Sequence, residues 1–347
     1  MRISICIPQY NRIAFLLKSL AMIEKQSYPD IEVVVSDDCS TDDTEQKIRA
    51  LIPVYKFPLI YKRNEKNAGY DRNFRQSIEL ASGQYIITIG NDDTINPEYD
   101  LDLLVGFLKA NGYPELGFCN FLEESTGNTF VERAHKTALL GSGYQTAMSY
   151  YSCFSFVGGL VYKREAFLKY NTEKHDGSIF AQIYLGCLMI AKGNNLFSIR
   201  EPVVIKDIVL EETERNSYRD GLARKWRDYK VVNGGLPSVM NVLIEAFRDA
   251  GVLSQQLIYS IFKRIYTVTF PYWIVDYKGN GAFPEAVGFV RGLYPSRNEN
   301  FRLLKFGNGL KIYFYYTLFG TGGILMPSWL FKKLKNSLYK KIKKVDA

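Results

Sequence analysis

Two pairs of adjacent carboxylates, Asp37-Asp38 and Asp92-Asp93, each follow a short apolar run. Ile31-Glu32-Val33-Val34-Val35 precedes the first pair and Tyr85-Ile86-Ile87-Thr88-Ile89 the second. Runs of this length and composition read as strands, and in an open α/β sheet ligands bind beyond the C-terminal ends of the strands. Four carboxylates gathered there suit a hard divalent cation together with a nucleotide. Aspartate is also favoured in turns and at helix N-caps, so either pair alone is a weak signal and its context decides.

That context is a repeating pattern. A strand over residues 3–7 runs into Pro8-Gln9-Tyr10-Asn11, where the proline is expected to end the ladder and Asn11 to cap a helix over 13–23. After the second strand, Ser40 or Thr41 is placed to cap a helix reaching about Ile52. A short strand at 58–61 leads through 62–69 into a helix over 71–81, and Ser82-Gly83-Gln84 stops that helix before the strand that delivers Asp92 and Asp93. Short apolar runs alternating with helical periods predict an α/β fold, with a Rossmann-like, mainly parallel sheet flanked by helices. The expected organisation is a nucleotide-binding half over 1–121, a second half over 122–250 and a helical extension over 251–347.

Five blocks occur in a fixed order over about ninety residues: Ile7-Pro8-Gln9-Tyr10-Asn11; Ser36-Asp37-Asp38-Cys39-Ser40-Thr41-Asp42; Asn67-Ala68-Gly69 with Arg72-Asn73; Ala81-Ser82-Gly83-Gln84-Tyr85-Ile86; and Gly90-Asn91-Asp92-Asp93. Together they resemble the family-2 glycosyltransferases of GT-A fold. The resemblance implies an enzyme that moves a sugar from a nucleoside-diphosphate donor to an acceptor hydroxyl, usually with inversion. It implies that Pro8, Tyr10 and Asn11 form the loop under the nucleotide, that Asp38 accepts hydrogen bonds from the base with Asp37 beside it, and that Arg72 lies near the diphosphate. Asn73 is expected to hold the loop, and Asn91 to line the donor site. Asp92 matches the metal-binding carboxylate of the family's Asp-x-Asp motif and Asp93 stands next to it, implying Mn²⁺ or Mg²⁺ as cofactor. The chain departs from that motif at Gly90, which replaces the first aspartate, so ribose contacts are expected to be weaker or supplied from elsewhere. The general base is expected in the second half, after a strand at 158–162 and a helix at 164–170; Asp176, preceded by His175, is the positional match, with Glu173, Asp207 and Glu211 as competitors. Asp71-Arg72-Asn73-Phe74 and the Gly90-x-Asp92-Asp93 form look most similar to bacterial O-antigen transferases, abequosyltransferase-like enzymes included. That closer likeness implies surface-polysaccharide synthesis and a lipid-linked glycan acceptor.

Other features bound this reading. His135 and His175 have no second His or Cys at ligand spacing, so a zinc site is not expected, and five scattered cysteines read as reduced thiols of a cytosolic protein. The chain opens on a strand, so no signal peptide and no export are expected. Residues 255–347 carry 15 Lys and Arg against 4 Asp and Glu, a net of +11, leaving −3 for residues 1–254. Basic residues among aromatics suit nucleic acid in principle, but no nucleic-acid motif accompanies them; adsorption to an anionic membrane on its cytoplasmic face fits better. The uncharged stretch 312–331 is long enough to cross a bilayer, yet Gly320-Thr321-Gly322-Gly323 and Pro327 weaken a spanning helix and favour an in-plane or docked hairpin. Residues 122–157, rich in Tyr, Ser and Gly, are expected to shape the acceptor pocket. An inactive scaffold is the alternative that Gly90 favours and that Asp38, Asp92 and Asp93 oppose. A nucleotidyltransferase would need a glycine-rich, lysine-bearing loop where Pro8-Gln9-Tyr10-Asn11-Arg12 stands.

Overall fold

Four strands, β1 (Ile3–Gln9), β2 (Ile31–Asp37), β3 (Leu59–Arg63) and β4 (Tyr85–Thr88), pair in parallel in the order β3-β2-β1-β4. Every residue of β2 is buried, as is nearly every residue of β1, because helices cover both faces of a parallel sheet. The sheet continues with β5 (Thr94–Ile95), β6 (Leu116–Glu123), β7 (Thr129–Val131), β8 (Ala138–Gly141), β9 (Leu160–Lys163) and β10 (Leu196–Lys206). Here β9 lies antiparallel between β4 and β6, β10 runs parallel to β6, and β5 is antiparallel to β10. The parallel half follows the predicted alternation, whereas β9 makes the whole sheet mixed. The computed structural model describes residues 1–210, 236–279, 281–327, 329, 330 and 333.

Chain direction sets where chemistry is possible. From β1 the chain adds β2 and β3 on one side and β4 on the other, so β1 is the switch point of the sheet. The C-terminal ends of β2, β1 and β4 therefore bring residues 37–38, 9–12 and 90–93 to one edge.

Three local expectations change, one being that Ser40 or Thr41 caps the second helix, which instead has Asp43 at its N-cap position and Asp42 as its side-chain acceptor. Pro8 does not end β1, which stays paired with β2 through Gln9↔Asp37. The position where Pro8 lacks an N–H faces β4, which has already ended at Thr88↔Cys6, so no ladder bond is lost. Asn11 does not cap α1 (Ile13–Ile23) either: Asn11 and Arg12 both have left-handed φ, 55° and 62°. The Asn11 side chain instead accepts from the Thr41 N–H at 2.8 Å, while Ser40 Oγ accepts from the Asn11 N–H at 2.8 Å. Asp42 supplies the missing cap, taking the Ile13 N–H at 3.0 Å on one oxygen and the N–H of Thr44, the first residue of α2 (Thr44–Leu51), at 3.1 Å on the other. One carboxylate thus closes two helix N-termini.

Gly83 has a steric reason. Buried Glu32 accepts from the N–H groups of Ser82 and Gly83 and from the hydroxyls of Ser4 and Ser82, and a side chain at Gly83 would run into Ser4 Oγ. The Ala81-Ser82-Gly83-Gln84 block is thus a fastening at the start of β4.

Contacts divide the chain into two units, Met1–Asn216 and Ser217–Ala347, a boundary earlier than the expected 250/251, and the expected halves 1–121 and 122–250 meet inside one sheet. The second unit is helical where described: Leu236–Asp249, Gln255–Arg264, a π-helical turn Ile265–Thr269, Phe270–Gly279, Phe283–Gly292 and Phe306–Leu325. The apolar run 257–275 is its core, with Leu257, Ile261, Phe262, Tyr266, Phe270 and Ile274 buried. No helix among the described residues is long and apolar enough to cross a membrane.

Asp42→Ala should uncap both helices and lower stability by about 1–2 kcal/mol in urea unfolding. Unchanged stability would show that water replaces the Asp42 carboxylate at both ends.

Candidate active site

Asp37 and Asp38 are both buried and point to different tasks. Asp37 accepts from the Ser40 N–H (2.8 Å) and hydroxyl (2.5 Å) on one oxygen and from the Tyr61 hydroxyl (2.6 Å) on the other, so its carboxylate is spent on the loop after β2. The same contact pushes the Tyr61 phenol upward, after burial as the main cause. Asp38 takes the Ala68 N–H at 2.7 Å and Asn64 Nδ2 at 3.2 Å on Oδ1, and the Gly69 N–H at 2.9 Å on Oδ2. A carboxylate oxygen accepts two hydrogen bonds, so Asp38 Oδ2 has capacity for one more donor.

The second pair divides in the same way. Asp93 is turned inward: its Oδ2 accepts from the Gly90 N–H (3.0 Å) and its Oδ1 from the Asp207 N–H (3.2 Å). Burial first, then the charge of Asp92, raises its pKa well above the carboxylate range, against the lowering effect of the two N–H donors. Expected as a metal ligand, Asp93 is instead bound up in shaping the loop. Asp92 faces outward, its side chain 16% exposed, with the Arg12 guanidinium 3.0 Å from Oδ2. Arg12 also lies over the Phe15 ring at 4.6 Å. Asn91 spans the β4 and β1 ends, donating to the carbonyls of Tyr10 and Asn11 at 3.4 and 3.5 Å. Tyr10 exposes its ring at this edge, 45% accessible, whereas Pro8 remains in its strand.

Gly90 explains the departure from the motif. A Cβ there would sit 2.8 Å from Asp93 Oδ2 and 3.2 Å from Asp92 Oδ1. A side chain there would make the Asp93 carboxylate shift and press on that of Asp92. Gly158 is similarly confined, its Cβ position lying 2.9 Å from Asp93 Oδ2.

Arg72 points elsewhere. On α3 (Tyr70–Glu79) its Nη1 bonds both oxygens of Glu79 at 2.8 and 2.9 Å, so the cation held beside Asp92 is Arg12. Asn73 donates to the Gln9 carbonyl at 3.0 Å, holding the loop as expected. Asp71 accepts from the N–H groups of Ile179 (2.7 Å) and Ala181 (3.1 Å), at the start of α7 (Ala181–Ala191), and burial raises its pKa. The Asp71-Arg72-Asn73-Phe74 block is therefore a packing device of α3.

Asp176, the expected general base, is gripped by Arg75 through two bonds, Nε–Oδ1 at 2.9 Å and Nη2–Oδ2 at 2.5 Å. Arg75 is buried and also meets Glu79 and Asn171. Asp207, with φ 52°, gives its N–H to Asp93, and its carboxylate pairs with Lys206 at 2.6 Å. The next N–H, of Ile208, donates to the Asp92 carbonyl at 2.9 Å, so the end of β10 is stitched to the 90–93 loop. Glu173 is exposed, and Glu211 lies outside the described residues. Buried Arg133 donates to the carbonyls of Cys119, Cys153, Phe156 and Gly158 and fixes the wall carrying Gly158. Neither Arg12 nor Arg133 was singled out from sequence; Arg12 directly follows the first block, and Arg133 leaves no local signal.

No group of three or more His, Cys, Asp or Glu suited to a metal occurs among the described residues. The donor set nevertheless fits Mg²⁺ or Mn²⁺, which bind through one or two carboxylates plus phosphates and water. Asp92, which faces outward, would be the protein ligand.

Sheet order and the acidic edge at its switch point define the class, a GT-A fold of the glycosyltransferase type. Residues 4–170, just under half of the chain, match the family model Glycosyl transferase family 2, and the chain is similar to this family over that stretch. Abequosyltransferase RfbV of Salmonella typhimurium is 37% identical over 141 residues, 40% of this chain and 41% of that protein. The GalNAc(5)-diNAcBac-PP-undecaprenol beta-1,3-glucosyltransferase of Campylobacter jejuni is 30% identical over 141 residues, 39% of this chain and 43% of that protein. These matches span about two fifths of the relatives' length. Among solved structures, S. aureus TarS 1-349 in complex with UDP is similar in fold, with a TM-score of 0.56 and 16% identity over 92% of each chain.

Replacing Gly90 by Ala should cost about 1–3 kcal/mol through displacement of the two carboxylates, and Gly90→Asp more, read by urea unfolding. A stable Gly90→Asp protein would refute this steric account. Asp176→Asn leaves Arg75 without its bidentate partner and should lower stability on the order of 2 kcal/mol. A variant as stable as the parent yet inactive would return Asp176 to the role of base.

Proposed function

We propose that the chain transfers a sugar from a nucleoside-diphosphate donor to a hydroxyl of a glycan acceptor, with inversion, in bacterial surface-polysaccharide synthesis. The observation that carries this reading is the placement of Asp38 and of the Arg12–Asp92 pair just past the C-terminal ends of β2, β1 and β4, on one edge of the sheet. Asp38 Oδ2 suits the N–H of a base, and the exposed ring of Tyr10, in the loop after β1, suits stacking on it. Arg12 suits a diphosphate, since a guanidinium can bond two oxygens at once. A divalent cation on Asp92 would stabilise the charge that develops on the leaving diphosphate.

The acceptor must lose a proton to a carboxylate during transfer. Asp176 remains the positional match but has to leave Arg75 to act; Asp207 is held at the 90–93 loop and is the second candidate. The Salmonella relative is named for abequose transfer, and the Campylobacter relative for a PP-undecaprenol acceptor. The second name supports a lipid-linked acceptor, and with it work at a membrane surface, where the basic second unit would meet anionic lipid.

The test is a screen of UDP-, CDP-, dTDP- and GDP-sugars for hydrolysis and thermal shift, with and without Mn²⁺. Asp92→Asn should abolish turnover and the metal-dependent part of the shift while the protein still unfolds cooperatively. Full activity in Asp92→Asn would sink the metal assignment.

A further inference from the structure

The helix Phe306–Leu325 of the second unit has two unlike faces. One is packed: Gly309, Ile312, Gly320 and Gly323 are buried. Cβ positions at Gly320 and Gly323 would lie 3.5 Å from Phe270 and Val290 and 2.9 Å from Ile274, so the small residues allow close approach to the helices Phe270–Gly279 and Phe283–Gly292. Tyr316 stacks on Phe270 at 5.8 Å and donates to the Val290 carbonyl at 3.0 Å. Lys278 Nζ donates to the carbonyls of Ile324 and Met326 and closes the helix end. This face is ordinary core.

The other face is apolar and open. Phe306, Leu310, Phe314, Leu318 and Leu325 are between 50% and 83% exposed. The first four are spaced by four residues and Leu325 follows after seven, so all five share one side of the helix. Scattered exposed hydrophobics need no explanation, but five on one stripe mark a surface that something covers. Exposed Trp329 follows, and Lys305 and Lys311 border the stripe.

Charge chooses the occupant. Between residues 300 and 345 the chain has ten Lys and Arg and no Asp or Glu. A second copy seated on the stripe would bring two such sets of cations together and be repelled. An anionic bilayer answers both properties, accepting apolar side chains at the headgroup–acyl boundary and lysines at the phosphates. The helix cannot span, since it is not apolar enough and carries Lys311, but it can lie flat.

We propose that the stripe of Phe306, Leu310, Phe314, Leu318 and Leu325 lies in the plane of an anionic bilayer, with Lys305 and Lys311 on lipid phosphates. This deepens the membrane-surface part of the proposed function and stands apart from the transfer reaction.

The experiment is flotation of the full chain with phosphatidylglycerol-containing and pure phosphatidylcholine vesicles, at low salt and at about 1 M salt, where charge attraction is screened. The parent chain should float with the anionic vesicles and in part resist salt. The triple substitution Leu310→Glu, Phe314→Glu and Leu318→Glu should melt at the parent's temperature, because these side chains are exposed, yet lose at least about tenfold in partitioning and all of the salt-resistant fraction. Trp329 fluorescence should be quenched by brominated lipid in the parent and not in the triple variant. If the parent ignores vesicles, or the triple variant floats as well as the parent, the proposal is wrong. A parent dimer that the triple substitution dissociates, without vesicle binding, would assign the stripe to a second copy instead. Nucleotide-sugar hydrolysis measured without vesicles on the same proteins separates the two readings: its absence from the parent counts against the transferase, whatever the flotation shows.

Discussion

A carboxylate taken out of water has to be met by donors, and at the end of β4 that requirement organises the site. Asp93 is met by the N–H of Gly90 in its own loop and by the N–H of Asp207 at the end of β10. Its main-chain carbonyl accepts the Ser19 hydroxyl of α1 at 2.6 Å. Three elements distant in sequence are thereby tied to one residue. The tie fixes the neighbouring Asp92 outward, against Arg12, where a charged ligand can reach it. Gly90 and Gly158 follow from the same constraint, since a side chain at either would occupy the space the Asp93 carboxylate needs.

The other conspicuous carboxylates near the site show the same economy. Asp37 is consumed by Ser40 and Tyr61, Asp42 by the starts of α1 and α2, Asp71 by the start of α7, and Asp176 by Arg75. Each satisfies backbone N–H groups or a buried cation that would otherwise be left unmatched. Asp38, by contrast, keeps capacity for a further donor on Oδ2, and Asp92 faces outward against Arg12.

The two units divide the chain's physical character. Apolar burial in the first is organised by a sheet whose strands are covered on both faces, with acidic groups at one edge. The second is built from helices around an aromatic cluster, in which Phe262, Tyr266, Phe270, Phe289 and Tyr316 pack ring against ring. The run 257–275 and the run 312–331 look alike by composition, yet the first is core and the helix carrying much of the second presents an apolar stripe outward. Composition measures how apolar a segment is. Which side of it is covered depends on what packs against it.

The sequence alone determined the order of strands and helices as far as β4, the parallel sheet it implies, the family resemblance, and the placement of Asp38 and Asp92 at one edge. These are legible because periodicity, turn residues and short blocks are local properties, and because parallel strands all end on the same side. Only the tertiary structure decided which member of each carboxylate pair faces outward, that Arg12 and not Arg72 stands beside Asp92, and that Asp176 is engaged by Arg75 from a helix 101 positions away. It also moved the α1 cap from Asn11 to Asp42 and gave Gly90 its reason. Adjacent aspartates have the same chemistry in sequence; they acquire different roles when the donors around them arrive from segments that only folding brings together.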